Sequence, residues 1–365
     1  MTGTAHDTAT RWPEVAQQRR LVTEVLLALG ATATTAGAQA DVLVEGDLRG
    51  HPSHGLQRLP MLVDRIRGGL ADPAASGEHA WRSRSVLAVD GGRGLGPPVA
   101  FAALDAIVER AGQEGVAIAA ISNANHLGML APYVERAAIA GVAAMATTTS
   151  EPLVHPWGGR DAGVGTNPLA LAVPTPEDPV VLDMATGAVS RGKVIDHANR
   201  DDPLPAGVAV DAAGDPTTDP HAALEGAITP FGGPKGYALA AGLEFLVGAL
   251  TTSALGRDVV GTLDASEVCN KGDLLLCFAP EVVAGTDRRD VLAAFVRELR
   301  ATRPADPEQP VSVPGDRSRE LRARRAAEGR VPVSGRVWAQ VAAIAEELDV
   351  ARPGSVPTSE EDTAP

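Results

Sequence analysis

Aromatic side chains are scarce in this sequence: five Phe, two Tyr and four Trp make up 3% of its 365 residues. A core with so few rings must be built mainly from Ala, Val and Leu, which suits helices packed closely on sheets. The same scarcity leaves few platforms on which nucleic-acid bases could stack. Basic residues are outnumbered, 32 Lys and Arg against 46 Asp and Glu, for a net charge of −14. That balance argues against a phosphate backbone or an anionic membrane as partner, because affinity there comes from clustered cations. Two cysteines, Cys269 and Cys277, are too few for a disulfide framework and read as buried free thiols. No apolar run reaches the roughly 18 residues of a membrane span, and the polar first ten residues have no signal-like apolar core. A soluble cytoplasmic protein is the expectation.

The familiar nucleotide fingerprints are also missing. A P-loop is absent, and Gly91-Gly92-Arg93-Gly94-Leu95-Gly96 has the wrong spacing for a Rossmann motif and runs into two prolines. It reads as a glycine-rich turn between a strand and a helix.

Hydrophobic periodicity predicts helices at 13–29, from an N-cap at Thr34 or Thr35 to Leu48, and at 56–66, 101–111, 130–140, 237–250, 291–300, 318–327 and 337–347. Strands are predicted at 85–89, 116–121, 142–147, 169–173, 180–183 and 273–278. The 237–250 helix and the 180–183 strand look fully buried. Residues 199–235, rich in Pro, Asp and Gly, read mostly as loop, and 303–314 as a connection. The tail 353–365 lacks core-forming residues and reads as disordered.

Four places concentrate chemistry. Arg49-Gly50-His51-Pro52-Ser53-His54-Gly55 ends the second helix, with Arg58 beyond it. His51 and His54 have a spacing that two metal ligands could share, but Pro52 opposes a regular helix and no further ligands lie nearby. A Ser beside a His suits proton transfer, and an Arg one turn on could grip a carboxylate. A helix-end histidine with surface arginines is the plainer alternative. Asn123, Asn125 and His126 follow a strand and precede a helix, where α/β proteins place functional loops. Ser150 through Thr166 is rich in glycine and small polar residues that let backbone N–H groups approach an anion or ribose. Gly232-Gly233-Pro234-Lys235-Gly236-Tyr237 opens a helix whose amides and lysine could hold pyrophosphate.

Taken together, these segments resemble the signatures of the type 2 malate/L-lactate dehydrogenase family, also called sulfolactate dehydrogenase-like, over roughly residues 12–350. The residues that carry the resemblance are Asp47 through Pro60, Asn125-His126-Leu127-Gly128, Pro156-Trp157-Gly158-Gly159, Gly165-Thr166-Asn167-Pro168, Leu182 through Thr186, Ser190-Arg191-Gly192-Lys193, Gly232 through Tyr237, and Val313 through Ser318. The resemblance implies an α/β fold that is not Rossmann: a cofactor domain with a large mixed sheet flanked by helices, and a mainly helical domain from both chain ends. In this sequence that division falls at 11–121, 122–283 and 284–352. It also implies NAD or NADP as cofactor, a small anionic substrate, and a homodimer or dimer of dimers, with no resident metal.

By position, His54 would be the proton-transfer group with Ser53 supporting it, and His126 competes for that role. Arg49, Arg58 and Thr166 would face the substrate. Ser150, Asp183, Met184, Ala185, Lys235, Gly236, Gly315, Asp316 and Arg317 would contact cofactor. Departures from the family pattern lie at Pro52, Leu127, Pro234 and Ala238, and Lys193 stands where the imine-reducing branch of the family is expected to carry an acidic residue. The expected activity is hydride transfer at C2 of a 2-oxo or 2-hydroxy carboxylate. The rivals are reduction of a cyclic imine carboxylate, a metal-dependent hydrolase, and a non-catalytic relative that binds ligand only.

Overall fold

The computed structural model describes residues 10–351; the expected disordered tail, 353–365, lies outside them. Short Thr10–Arg11 (β1) leads into Val15–Ala28 (α1) and Ala33–Leu48 (α2). The N-cap of α2 is Thr32, not Thr34 or Thr35: its hydroxyl accepts the Thr35 N–H, and the Thr35 hydroxyl answers the Thr32 N–H. Two single 3-10 turns, Pro52–His54 and Leu56–Arg58, precede Leu59–Arg67 (α3).

Glu78–Trp81 (β2), Val86–Asp90 (β3), Gly96–Glu114 (α4), Val116–Ser122 (β4), Ala131–Ile139 (α5) and Ala143–Thr148 (β5) follow. The α4 helix starts five residues before its apolar pattern predicts, because Pro97 and Pro98 occupy a first turn where their missing N–H groups cost nothing. Then come Leu169–Val173 (β6), Val180–Met184 (β7) and Arg191–Arg200 (α6). The stretch expected to be mostly loop contains Ala209–Val210 (β8), Pro216–Thr217 (β9), Pro220–Glu225 (α7) and Ala227–Ile228 (β10), and β8, β9 and β10 pair into a small sheet. Elements this short carry no periodicity for sequence reading to find.

The chain continues with Pro234–Leu250 (α8), Gly272–Phe278 (β11), Pro280–Ala284 (α9), Arg289–Arg300 (α10), Asp316–Glu328 (α11), Val333–Ser334 (β12) and Gly335–Glu347 (α12).

Seven strands form a mixed sheet in the order β2-β3-β4-β11-β5-β6-β7. Only β3 and β4 run parallel; the other neighbours are antiparallel. On β4 the alternation buries Ala117, Ala119 and Ile121 beneath α4 and α5, with Tyr133 as the largest side chain in that core. The large sheet draws strands from both sides of residues 121/122, since β11 pairs with β4 along Val116–Ser122.

A second core joins both chain ends: Val22, Val25 and Leu26 of α1 and Leu43 of α2 pack with Val341 and Ala345 of α12. Two readings of burial need correction. Strand β7 is an edge strand in which only Val181 is buried, and α8 leaves Phe245 and Leu250 half or more exposed. Periodicity cannot separate an apolar face that meets the core from one that meets nothing within the same chain.

Candidate active site

The last turn of α2 fixes the histidine turn that follows it. The Asp47 carboxylate accepts the Leu56 N–H at 2.9 Å and a second bond from the Gln18 amide of α1. Burial raises its carboxyl to about 6, against the pull of those donors and of Arg325. The turn lies so close that a side chain at Gly46 would put its Cβ 2.6 Å from the His54 carbonyl, and one at Gly55 would run into Asp47.

Within the turn, Ser53 Oγ lies 3.0 Å from His54 Nδ1. The ring of His126, from the loop after β4, comes to 5.6 Å of the His54 ring, centroid to centroid, at a tilt of 36°. Burial lowers His54 to about 4, helped by the charges of Arg58 and His51. His126 is held well below the usual range by burial first, then by Arg58, His54, Lys271 and Arg65. Both rings are neutral at pH 7.

Arg58 sits beside this pair. Its guanidinium donates to the Thr262 carbonyl at 2.8 Å and has no carboxylate in ion-pair contact among the described residues. Burial and the nearby Arg65 lower its pKa to about 10. Arg65 is bound in the same manner: it donates to the Asp264 carbonyl at 2.7 Å and to Asn125 Oδ1 at 2.9 Å, the residue before His126. Glu151 closes the arrangement, its Oε1 accepting the N–H groups of Thr262 at 2.6 Å and Leu263 at 3.0 Å and the Thr262 hydroxyl at 3.2 Å. One loop, residues 262–264, is thus held by a carboxylate and two arginines. Beneath it, the buried Lys271 ammonium binds Asp273 at 2.5 Å.

Arg49, expected on the substrate side, is taken up by two carboxylates. Its guanidinium is buried between Glu45, at 2.9 Å, and Glu135, and Glu45 also binds Arg322 at 2.7 Å. Burial opposes ionisation of Glu45, yet hydrogen bonds from Arg322 and Arg49 hold its carboxyl below the usual range. This network ties α2, α5 and α11 together behind the histidine turn. His51 and Ser53 line the wall of a cleft of about 1200 Å3, with Gly192 and Lys193 of α6 opposite. The approach is tight: a Cβ on Gly192 would lie 2.5 Å from that of Ser53. Among the described residues no three His, Cys, Asp or Glu side chains converge, so His51 and His54 lack the further ligands a zinc hydrolase needs.

The expected cofactor residues form three groups. Ser150 Oγ accepts the Thr166 N–H at 3.1 Å, joining the ends of β5 and the loop before β6. Asp183 accepts the Leu130 and Ala131 N–H groups at the start of α5, at 3.0 and 2.7 Å, with Met184 and Ala185 following at the end of β7. Lys235 is exposed in the first turn of α8, while Gly236 is buried where a Cβ would strike the Phe231 carbonyl. A bare backbone with an adjacent lysine at a helix start fits a pyrophosphate. In the third group, Asp316 is taken up by Arg300 and the Val313 N–H, and Arg317 is exposed.

Asp47, Glu151 and Arg65 are the site residues that sequence reasoning did not single out for a role. Asp47 opens the Asp47–Pro60 segment that carries the resemblance, which was signal enough, but the partners of Glu151 and Arg65 lie between 60 and 199 residues away along the chain.

Comparison with known proteins agrees with this architecture. The malate/L-lactate dehydrogenase family model matches residues 14–342. The chain is 37% identical to the malate/(S)-sulfolactate dehydrogenase of Methanothermus fervidus, over 92% of its own length and 97% of that protein. It is 38% identical to a Delta(1)-pyrroline-2-carboxylate reductase of Burkholderia multivorans, over 86% and 92%. Among solved structures, a dehydrogenase from Sinorhizobium meliloti superposes with a TM-score of 0.89 at 46% identity, covering 93% of this chain and 99% of that one. The sulfolactate dehydrogenase from Methanocaldococcus jannaschii gives 0.87 at 32%, covering 93% and 98%. The chain belongs to the malate/L-lactate dehydrogenase family. It is an oxidoreductase of that family.

Proposed function

We propose that the protein interconverts a small 2-oxo carboxylate and the matching 2-hydroxy acid, of the malate, lactate or sulfolactate kind, with NAD or NADP. The observation that carries this reading is Arg58: an enclosed guanidinium with no carboxylate in ion-pair contact among the described residues, beside two neutral histidines. A bound carboxylate would supply the missing negative charge through a bidentate pair and so fix C2 near the rings. Thr166 and Ser150 border the site from the cofactor side, and Arg49 serves the substrate by holding the turn through Glu45 and Glu135. The cofactor would rest on Ser150, on Asp183 through Ala185, on Lys235 and Gly236, and at the turn of Gly315, Asp316 and Arg317. When bound, the nicotinamide supplies or accepts the hydride. A histidine beside the C2 oxygen exchanges the proton.

Reduction of a cyclic imine carboxylate is the second reading, favoured by 38% identity to a pyrroline-2-carboxylate reductase. It needs the same carboxylate grip. Oxidation of NADH and NADPH, followed with oxaloacetate, pyruvate, sulfopyruvate and a five-membered cyclic imine carboxylate, tests both. Faster turnover of a 2-oxo acid supports the first reading. Turnover of the imine alone replaces it with the second, and turnover of none leaves a ligand-binding relative.

The half-exposed apolar face of α8, with Phe245, Leu246 and Leu250, supports a homodimer that covers it, alone or as a dimer of dimers. The joint core of α1, α2 and α12 supports a helical domain drawn from both chain ends. Two buried free thiols support a cytoplasmic setting, and no helix among the described residues is long and apolar enough to cross a membrane.

A further inference from the structure

The two histidines stand beside one carboxylate grip, but their hydrogen bonds permit them different chemistry. His126 Nδ1 accepts the backbone N–H of Gly128 at 3.0 Å. A ring nitrogen that accepts a hydrogen bond carries no proton, so the proton of His126 resides on Nε2. The backbone enforces that bond. Gly128 has φ +78°, a left-handed conformation, and a Cβ there would lie 2.6 Å from Val42 Cγ1 of α2. Protonating Nδ1 would set two N–H groups against each other in an enclosed site already surrounded by Arg58, Arg65, Lys271 and His54.

His54 is under no such restriction. Its Nδ1 faces Ser53 Oγ at 3.0 Å. A hydroxyl donates to a bare nitrogen or, after rotating its hydrogen, accepts from a protonated one. His54 can therefore gain and lose a proton without leaving any polar group unpaired. With their ring centroids 5.6 Å apart, the two histidines border one place, where a single substrate oxygen can lie beside both.

Resting on the dehydrogenase reading above, we propose that His126 is a permanently neutral Nε2–H donor that polarises the C2 oxygen of the substrate, while His54 alone changes charge in turnover. In the reducing direction C2 gains a hydride from the reduced nicotinamide and the carbonyl π pair moves onto oxygen. His54, neutral in the free site, takes up a proton from solvent once the bound carboxylate offsets the Arg58 charge, gives it to that oxygen as the alcohol forms, and returns to neutral imidazole. His126 keeps its proton throughout. Oxidation runs through the same steps in reverse: neutral His54 takes the hydroxyl proton as hydride leaves C2. Gly128 acts as a positioning residue through the ring it orients.

Two measurements test the division. Nitrogen-15 NMR of wild-type enzyme with labelled histidine should show His126 as the neutral Nε2–H tautomer from pH 5 to pH 9, with or without bound cofactor. A doubly protonated or Nδ1–H ring at His126 overturns the proposal. In kinetics, His126→Gln keeps a donor that cannot ionise, so it should lower kcat about 10- to 100-fold and retain the wild-type pH dependence of kcat/KM. His54→Gln should abolish that dependence. The opposite pattern, with the pH limb lost in His126→Gln and kept in His54→Gln, also overturns it. If the wild type turns over no 2-oxo acid or imine, the dehydrogenase reading fails, and the turnover role given to His54 fails with it; the NMR result still decides the state of His126.

Discussion

His54 and His126 lie 5.6 Å apart, ring centroid to ring centroid, and reach that spacing from distant parts of the chain: one from a 3-10 turn after α2, the other from the loop after β4. Neither ring has a carboxylate hydrogen-bonded to it among the described residues; their neighbours are a serine hydroxyl, a backbone amide and arginines. This pairing of neutral imidazoles with a cationic grip underlies the predictions below.

Replacing Arg58 by Gln should raise the KM for a 2-oxo acid and lower kcat/KM about 10- to 100-fold, the value of one charge-assisted hydrogen bond of about 1.5–3 kcal/mol. The KM for reduced cofactor should change little. Steady-state kinetics with each substrate varied in turn checks this.

Glu151 should behave as a positioning residue. Its Oε1 collects three hydrogen bonds from Thr262 and Leu263, and Thr262 in turn supports Arg58. Glu151→Ala leaves those donors without an acceptor and should raise the 2-oxo acid KM more than the cofactor KM. Glu151→Gln, which keeps an acceptor oxygen, should recover part of the loss. Equal loss in both variants, together with a lower Tm, would assign Glu151 to stability alone.

Asp47→Ala removes the acceptor for the Leu56 N–H and the Gln18 amide in a buried place. About 2–6 kcal/mol of stability should be lost, at 1–3 kcal/mol for each orphaned donor, and denaturant unfolding reads it. Activity should fall further than stability explains, because the same bonds hold the turn that carries His54.

Stability should also depend on the histidines. His54 titrates at about 4 in the fold against 6.5 when free, so between those values the unfolded chain binds more protons. Its contribution is therefore present above pH 6.5 and is lost as pH falls toward 4. Urea titrations at pH 7.5, 6, 5 and 4.5 should show a steeper acid loss in the wild type than in His54→Gln.

Much of this was legible in the sequence, for identifiable reasons. The strands of the large sheet and helices such as α1, α3 and α12 announce themselves by period, and the Ser53-His54 turn stands out because Pro52 breaks the helix there. The order of the motifs carried the family. Sequence gave no sign that Arg49 would be occupied by Glu45 and Glu135, since Glu135 lies 86 residues away and nothing local marks the pair. Nor does composition tell which face of α8 is open, because Leu243 and Leu246 differ in burial and not in chemistry.

The origin of the hydrogen at C2 tests the central claim most directly. Reduced nicotinamide carrying deuterium at the transferable position of C4 should be incubated with the best 2-oxo acid in ordinary water, and the product examined by mass spectrometry. Hydride transfer predicts one deuterium, located on C2 of the hydroxy acid. Product with hydrogen at C2 from solvent, or no reduced product under either cofactor, would contradict it.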